Sequence, residues 1–153
     1  MYSKEQASKL RQQFWITFGK YMKPIPSAEG LLINWVNYKT GVKNVFFRMD
    51  AEQKFATITI DITHSDLETR TLFFEQFESF KAIFNDTVHE DWDWELNAVN
   101  EYGQPLSKIS ITITELSIFN QQHWPALISF LKPRIIALDQ FWTDVKPVFV
   151  GLG

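Results

Sequence analysis

Few side chains in this sequence have the types and spacing to do chemistry, and the clearest of them gather around two histidines. His64 follows Asp61 and precedes Asp66, and His89 adjoins Glu90 and Asp91. Imidazole next to carboxylate can hold a divalent metal or move a proton. Neither group has the regular spacing of a ligand set, there is no HExxH pair, and His123 stands by itself. Capping and surface roles outweigh a metal site for all three. The chain has no cysteine, which removes thiolate nucleophiles, cysteine zinc sites and disulfides. The patterns GxxxxGK[ST], GxGxxG and GxSxG are missing too, and with them the usual signs of a phosphate-cradling loop or a nucleophile elbow. The six Trp fall mostly on apolar stripes, which points to core packing rather than stacking on bases or sugars.

The stretch that must position these groups runs from Phe55 to Phe84. From Ala56 to Ile62 the residues alternate strictly, isoleucine and alanine on one face, Thr57, Thr59, Asp61 and Thr63 on the other, as a strand requires. Ser65 and Glu68 have capping-box spacing, and Asp66 places negative charge where a helix dipole favours it. Phe73, Phe77, Phe80 and Phe84 then recur at helical spacing, with Leu72 and Ile83 widening the stripe.

The other elements follow from similar patterns. Ser3–Gln6 opens a helix through about Met22, with Leu10, Phe14, Phe18 and Tyr21 on its buried side. Two prolines and a glycine make 23–30 a loop. Leu31–Tyr38 and Val42–Met49 read as a hairpin turning at Lys39-Thr40-Gly41, and Trp92–Val99 and Ser107–Thr114 as two further strands. A last helix begins between Asn120 and Trp124, is interrupted or kinked at Pro133 and ends at Pro147. The expectation is one α+β domain over 1–153, with 150–153 as a fraying tail. It has three helices and a mainly antiparallel five-stranded sheet, in the order αβββαββα. Helices would cover one face, with a pocket between the last helix and the sheet as the place for a small molecule. The threonine-rich face of the central strand suggests that the other side is open.

Composition supports a folded chain: 45% hydrophobic and 16% aromatic residues exclude a disordered one. No apolar run is long enough to cross a membrane, and MYSKEQASKL lacks the apolar core of a secretory signal. A cytoplasmic location is expected. The net charge of −3 hides an asymmetry. Residues 1–48 carry eight Lys and Arg against two acids, and residues 49–103 carry three against thirteen. A solvated face is the ordinary reading of such a run. As a binding surface it would use Lys4, Arg11, Lys20, Lys39 and Lys43, toward nucleic acid or an acidic protein.

Two family resemblances bear on function. A helix, three strands, a helix and a strand, in that order, resemble the core of the PD-(D/E)xK nucleases. The resemblance implies that Asp50 and Asp61 would bind Mg²⁺, which activates water for phosphodiester attack, with Gln76 in a Q-x-x-x-Y-like helix motif. Met49 stands where that family has Pro, and Thr63 where it has the catalytic Lys. Charge stabilisation would then fall to Lys81 or Lys43. Along almost the whole chain, FFRMD (46–50), IDITHSD (60–66), FFEQF (73–77) and WPALISFLKPRIIALDQFW (124–142) resemble a bacterial domain-of-unknown-function family. Some members stand alone and others follow a nuclease-like domain, which implies an accessory role near nucleic acid. The reading leans away from catalysis, toward a binding or interaction module without a cofactor. A metal-dependent nuclease with a displaced lysine and a small-molecule binder are the alternatives.

Overall fold

The alternation from Ala56 to Ile62 becomes a central strand of the sheet. In the computed structural model, which describes residues 2–152, four strands form one sheet: β1 (Val45–Ala51), β2 (Phe55–Ile62), β3 (Asp93–Val99) and β4 (Pro105–Thr114). Their order is β1-β2-β4-β3, and every neighbouring pair is antiparallel. The helices are α1 (Lys4–Met22), α2 (Leu67–Ser79), α3 (Lys81–Val88) and α4 (Trp124–Val150), with one 3₁₀ turn at Gln121–His123. The class is α+β as expected, but the composition differs: four strands and four helices replace the expected five and three.

The missing strand is Leu31–Tyr38, which is irregular. Its apolar residues do not alternate, and its anchors, Trp35 and Tyr38, are three positions apart. Trp35 is buried while Leu31 and Leu32 are exposed. Each anchor ends in a polar atom that finds a partner away from any strand. Trp35 Nε1 donates to the Ile25 carbonyl at 3.0 Å, and the Tyr38 hydroxyl donates to Asp139 Oδ1 at 2.6 Å. Asp139, buried in the middle of α4, also accepts the Ala28 N–H at 2.7 Å, and Trp142 Nε1 donates to the Thr40 carbonyl. Residues 23–44 are therefore a strap lashed to α4.

The extra helix arises because the stripe from Phe73 to Phe84 breaks at Phe80, whose ψ of 11° is not helical. The Ser79 hydroxyl donates to the Gln76 carbonyl at that break. The cap of α2 is Asp66 rather than Ser65, accepting the Thr69 N–H at 2.9 Å. Leu72 and Ile83 are half exposed and lie outside the buried stripe, and on α1 Met22 is buried where Tyr21 was expected. Pro133 lies within α4, and the helix runs past Pro147 to Val150.

All four helices lie on the isoleucine side. Ile58, Ile60 and Ile109 are fully buried there under Phe77, Leu138 and Trp142. Phe77 sits at the centre, its ring 4.3 Å from Phe149 and near Trp142 and Phe141. The space between α4 and the sheet is filled by these side chains. The other face carries Arg48, Thr57, Thr59, Asp61, Lys108, Ser110 and Thr112 in register, with Thr59, Asp61 and Ser110 buried among their neighbours.

Candidate functional site

The two aspartates read as metal ligands share the threonine face of the sheet but not a position along it. Asp50 pairs with Thr57, and Asp61 pairs with Phe46. Four strand steps along β2 therefore separate them, about 13 Å. One ion with oxygen ligands at about 2.0–2.6 Å does not span that gap. Asp50 Oδ1 accepts the Ala51 N–H, and burial, then Glu52, holds its carboxyl above the usual range. Asp61 is nearly buried. Its Oδ2 meets Arg48 Nη1 at 3.1 Å, while its Oδ1 has no hydrogen-bond partner among the described residues. The Arg48 guanidinium also lies over Phe46, 4.4 Å from the ring centroid. Gln76 donates to Ser79, and the Lys81 ammonium lies 5.1 Å from the Trp94 ring centroid, so neither is directed at Asp50 or Asp61. Among the described residues no three His, Asp or Glu are placed to share an ion.

The histidine–acid groupings resolve into structural contacts. His89 takes the left-handed conformation that ends α3. Glu90 accepts two bonds from Arg134 at 2.8 Å and one from Trp92 Nε1. His123 Nδ1 accepts the Ser117 N–H.

The basic residues divide between two ends of the sheet. Arg11 makes a two-pronged ion pair with Glu52, at the β1–β2 turn, and its guanidinium lies over Phe119. Lys4 begins the same helix. Lys43 precedes β1 at the opposite end, about 20 Å away along the strand. Lys39 and Lys43 flank Gly41, and the Lys146 ammonium rests against Gly41, where a Cβ would meet it at 2.6 Å. Lys20 lies in the last turn of α1, next to Gly19, which faces Val36 of the strap. Lys43 and the Lys146 ammonium thus both lie beside Gly41, apart from Lys4 and Arg11.

A cleft of about 340 Å³ opens at the Lys43 end, lined by Lys43, Asn44, His64, Thr69, Phe73 and Phe149 among others, with no carboxylate in its wall. Local backbone chemistry shapes it. Gly41 and Asn44 both adopt left-handed backbone, at φ 78° and 67°. Glycine does so freely, and asparagine is among the few other residues enriched there. The Asn44 carbonyl accepts the Thr63 N–H at 2.9 Å, and its side-chain oxygen accepts the Thr63 hydroxyl at 3.2 Å. That assignment leaves the Asn44 amide group as a donor.

The His64 ring packs against Phe73 at a tilt of 38° with centroids 4.3 Å apart, and its Nδ1 is buried without a partner. Burial and then the positive charge of Arg70 push its imidazole below the ordinary 6.5, with Asp66 opposing. Arg70, in the first turn of α2, is only 4% exposed. Its Nη1 donates to the His64 carbonyl at 2.8 Å, its Nε has no partner, and none of the ion pairs among the described residues includes it. Guanidinium does not lose its proton in proteins, so a buried positive charge stands here without a carboxylate against it. Asp66 feels that charge, but its Oδ2 is engaged by the Thr69 N–H and hydroxyl.

Sequence reasoning singled out Lys43 but missed Arg70 and Lys146. Arg70 carried a legible signal, since it stands three residues before Phe73 on the buried stripe, a position where an unpaired cation is out of place. Lys146 carried none, because its nearness to Gly41 depends on how the strap lies on α4.

The family described as "Domain of unknown function (DUF4268)" matches residues 10–146. No curated protein and no solved structure matches the chain.

Proposed function

We propose, from the premise that this chain belongs to the domain-of-unknown-function family DUF4268, that it is a non-enzymatic binding module for nucleic acid. The contact surface is the end that carries Lys39, Lys43 and Lys146. The observation behind this reading is that Lys43 lines a cleft with no carboxylate in its wall, and the Lys146 ammonium rests against Gly41 of the same wall. Arg70, buried and without an ion-pair partner, adds to the positive potential. Such a field attracts phosphate and raises association rates. The resemblance to chains that carry this domain after a nuclease-like one supports the same partner. The separation of Asp50 from Asp61 favours binding over metal-dependent cleavage. A bacterial cytoplasm is the setting this reading expects; no helix among the described residues is long and apolar enough to cross a membrane.

The test is titration of labelled single- and double-stranded DNA at several salt concentrations. Neutralising about three phosphates gives a log–log salt slope near −2.7 on B-DNA. The double variant Lys39→Glu/Lys43→Glu should bind more weakly with a flatter slope. Absence of binding at low salt, or equal binding by the double variant, would overturn the reading. Cleavage with Mg²⁺ that disappears in Asp61→Ala would replace it with the nuclease.

A further inference from the structure

We propose that the cleft beside Lys43 is a phosphate-monoester site that takes a nucleic-acid strand by its terminal phosphate or takes a mononucleotide. The proposal rests on the nucleic-acid reading and adds the group that is recognised.

Two donors reach the cleft from the segment before β1, and an imidazole lines it from the segment after β2. Lys43 supplies an ammonium and Asn44 an amide whose oxygen is already engaged by Thr63, while His64 lines the wall with its Nδ1 buried behind the ring. The lining contains no acid, although Asp66 is bonded to Thr69 of the wall. The apolar walls, Phe73 and Phe149, limit water and so strengthen charge interactions inside. A volume of about 340 Å³ is at the small end of the range for ligand clefts, roughly 300–1,000 Å³.

Charge selects the monoester. A phosphate monoester carries about −1.5 to −2 at pH 7, against a single negative charge for each backbone diester. Lys43 in the wall and Arg70, bonded to the His64 carbonyl, together supply two positive charges. An anion in the cleft would add countercharge for buried Arg70, which forms no ion pair among the described residues and has only the electrostatic influence of Asp66 against it. Thr69 contributes shape rather than a donor, because its hydroxyl is already given to Asp66.

The experiment follows the His64 imidazole by NMR while inorganic phosphate or thymidine 5′-monophosphate is added at matched ionic strength. In parallel, affinities are measured for one oligonucleotide with a 5′-phosphate and with a 5′-hydroxyl. Expected are a saturable shift of the His64 resonances with phosphate and at least tenfold tighter binding of the 5′-phosphorylated strand. His64→Phe keeps a ring against Phe73 and should abolish that preference, so the test does not depend on whether an Arg70→Lys variant folds. Equal affinity for the two strands, with no His64 shift, overturns the site while leaving nucleic-acid binding intact. A His64 shift with phosphate and the mononucleotide, but no binding of either strand, supports the site with a mononucleotide ligand and overturns the nucleic-acid reading.

Discussion

Single residues in this protein answer two different questions, how the core is filled and where charge is left over. Phe77 belongs to the first. It is fully buried, with Phe149, Trp142 and Phe141 around it. Phe77→Ala should cost about 3–5 kcal/mol, because the rings around it cannot close fully on the space left behind. Urea denaturation of both proteins measures this, and a loss below about 1 kcal/mol would mean that the cluster collapses around the gap. His64 belongs to the second. Its imidazole is pushed below 6.5, first by burial and then by Arg70. Below that pH the unfolded chain takes up a proton that the folded one resists, so stability falls as pH drops through that range. Asp50, held above its ordinary value, acts in the opposite sense at lower pH. Comparison with His64→Gln cancels that contribution. From pH 7 to about 5.5 the wild type should lose more of its urea midpoint than the variant does.

At the scale of elements, the strap shows how apolar residues can be bound without a ladder. Tyr38 is held well above its ordinary titration range, by burial first and then by its bond to the Asp139 carboxylate, so its hydroxyl remains a donor at every working pH. Tyr38→Phe keeps the ring that stacks on Phe47 but leaves the buried Asp139 with the Ala28 N–H alone. The expected loss is about 1–3 kcal/mol, because the buried Asp139 Oδ1 then lacks its partner. Amide hydrogen exchange should localise the effect, with residues 23–44 exchanging faster while β2 and β4 keep their protection. Uniform loosening of the sheet would show instead that the strap and the core unfold as one unit. The ion pair between Arg134 and Glu90 plays a comparable part on the opposite flank, tying the α3–β3 connection to α4.

For the whole molecule, what matters is how charge is distributed. The N-terminal third is basic in sequence, yet its cations reach opposite ends of the sheet, and Glu52 neutralises Arg11. Lys4→Glu should therefore leave DNA affinity within about twofold of wild type, whereas Lys43→Glu should reduce it about tenfold. Titration at one low salt concentration decides between them. An equal loss in the two variants would place the contact along the whole of α1.

The sequence by itself determined what depends on near neighbours. The alternation of β2, the paired caps at Ser3 and Gln6 and the buried stripe of α4 concern residues a few positions apart. So does the threonine row, which set the polar face of β2. Such patterns fix which side of an element is apolar, because side-chain direction repeats with the backbone. The tertiary structure alone decided what depends on distant partners. Residues 31–38 were apolar enough for a strand, but Ile25, Asp139 and Trp142 hold the strap in irregular form at Trp35, Tyr38 and Thr40. Arg11 and Lys43 looked alike until Glu52 met one and not the other, and while the place of Arg70 on the buried stripe was legible, its lack of an ion-pair partner was not. Periodicity tells a side chain which way to face, whereas the value of a charge depends on what faces it, and that is settled only when the chain has folded.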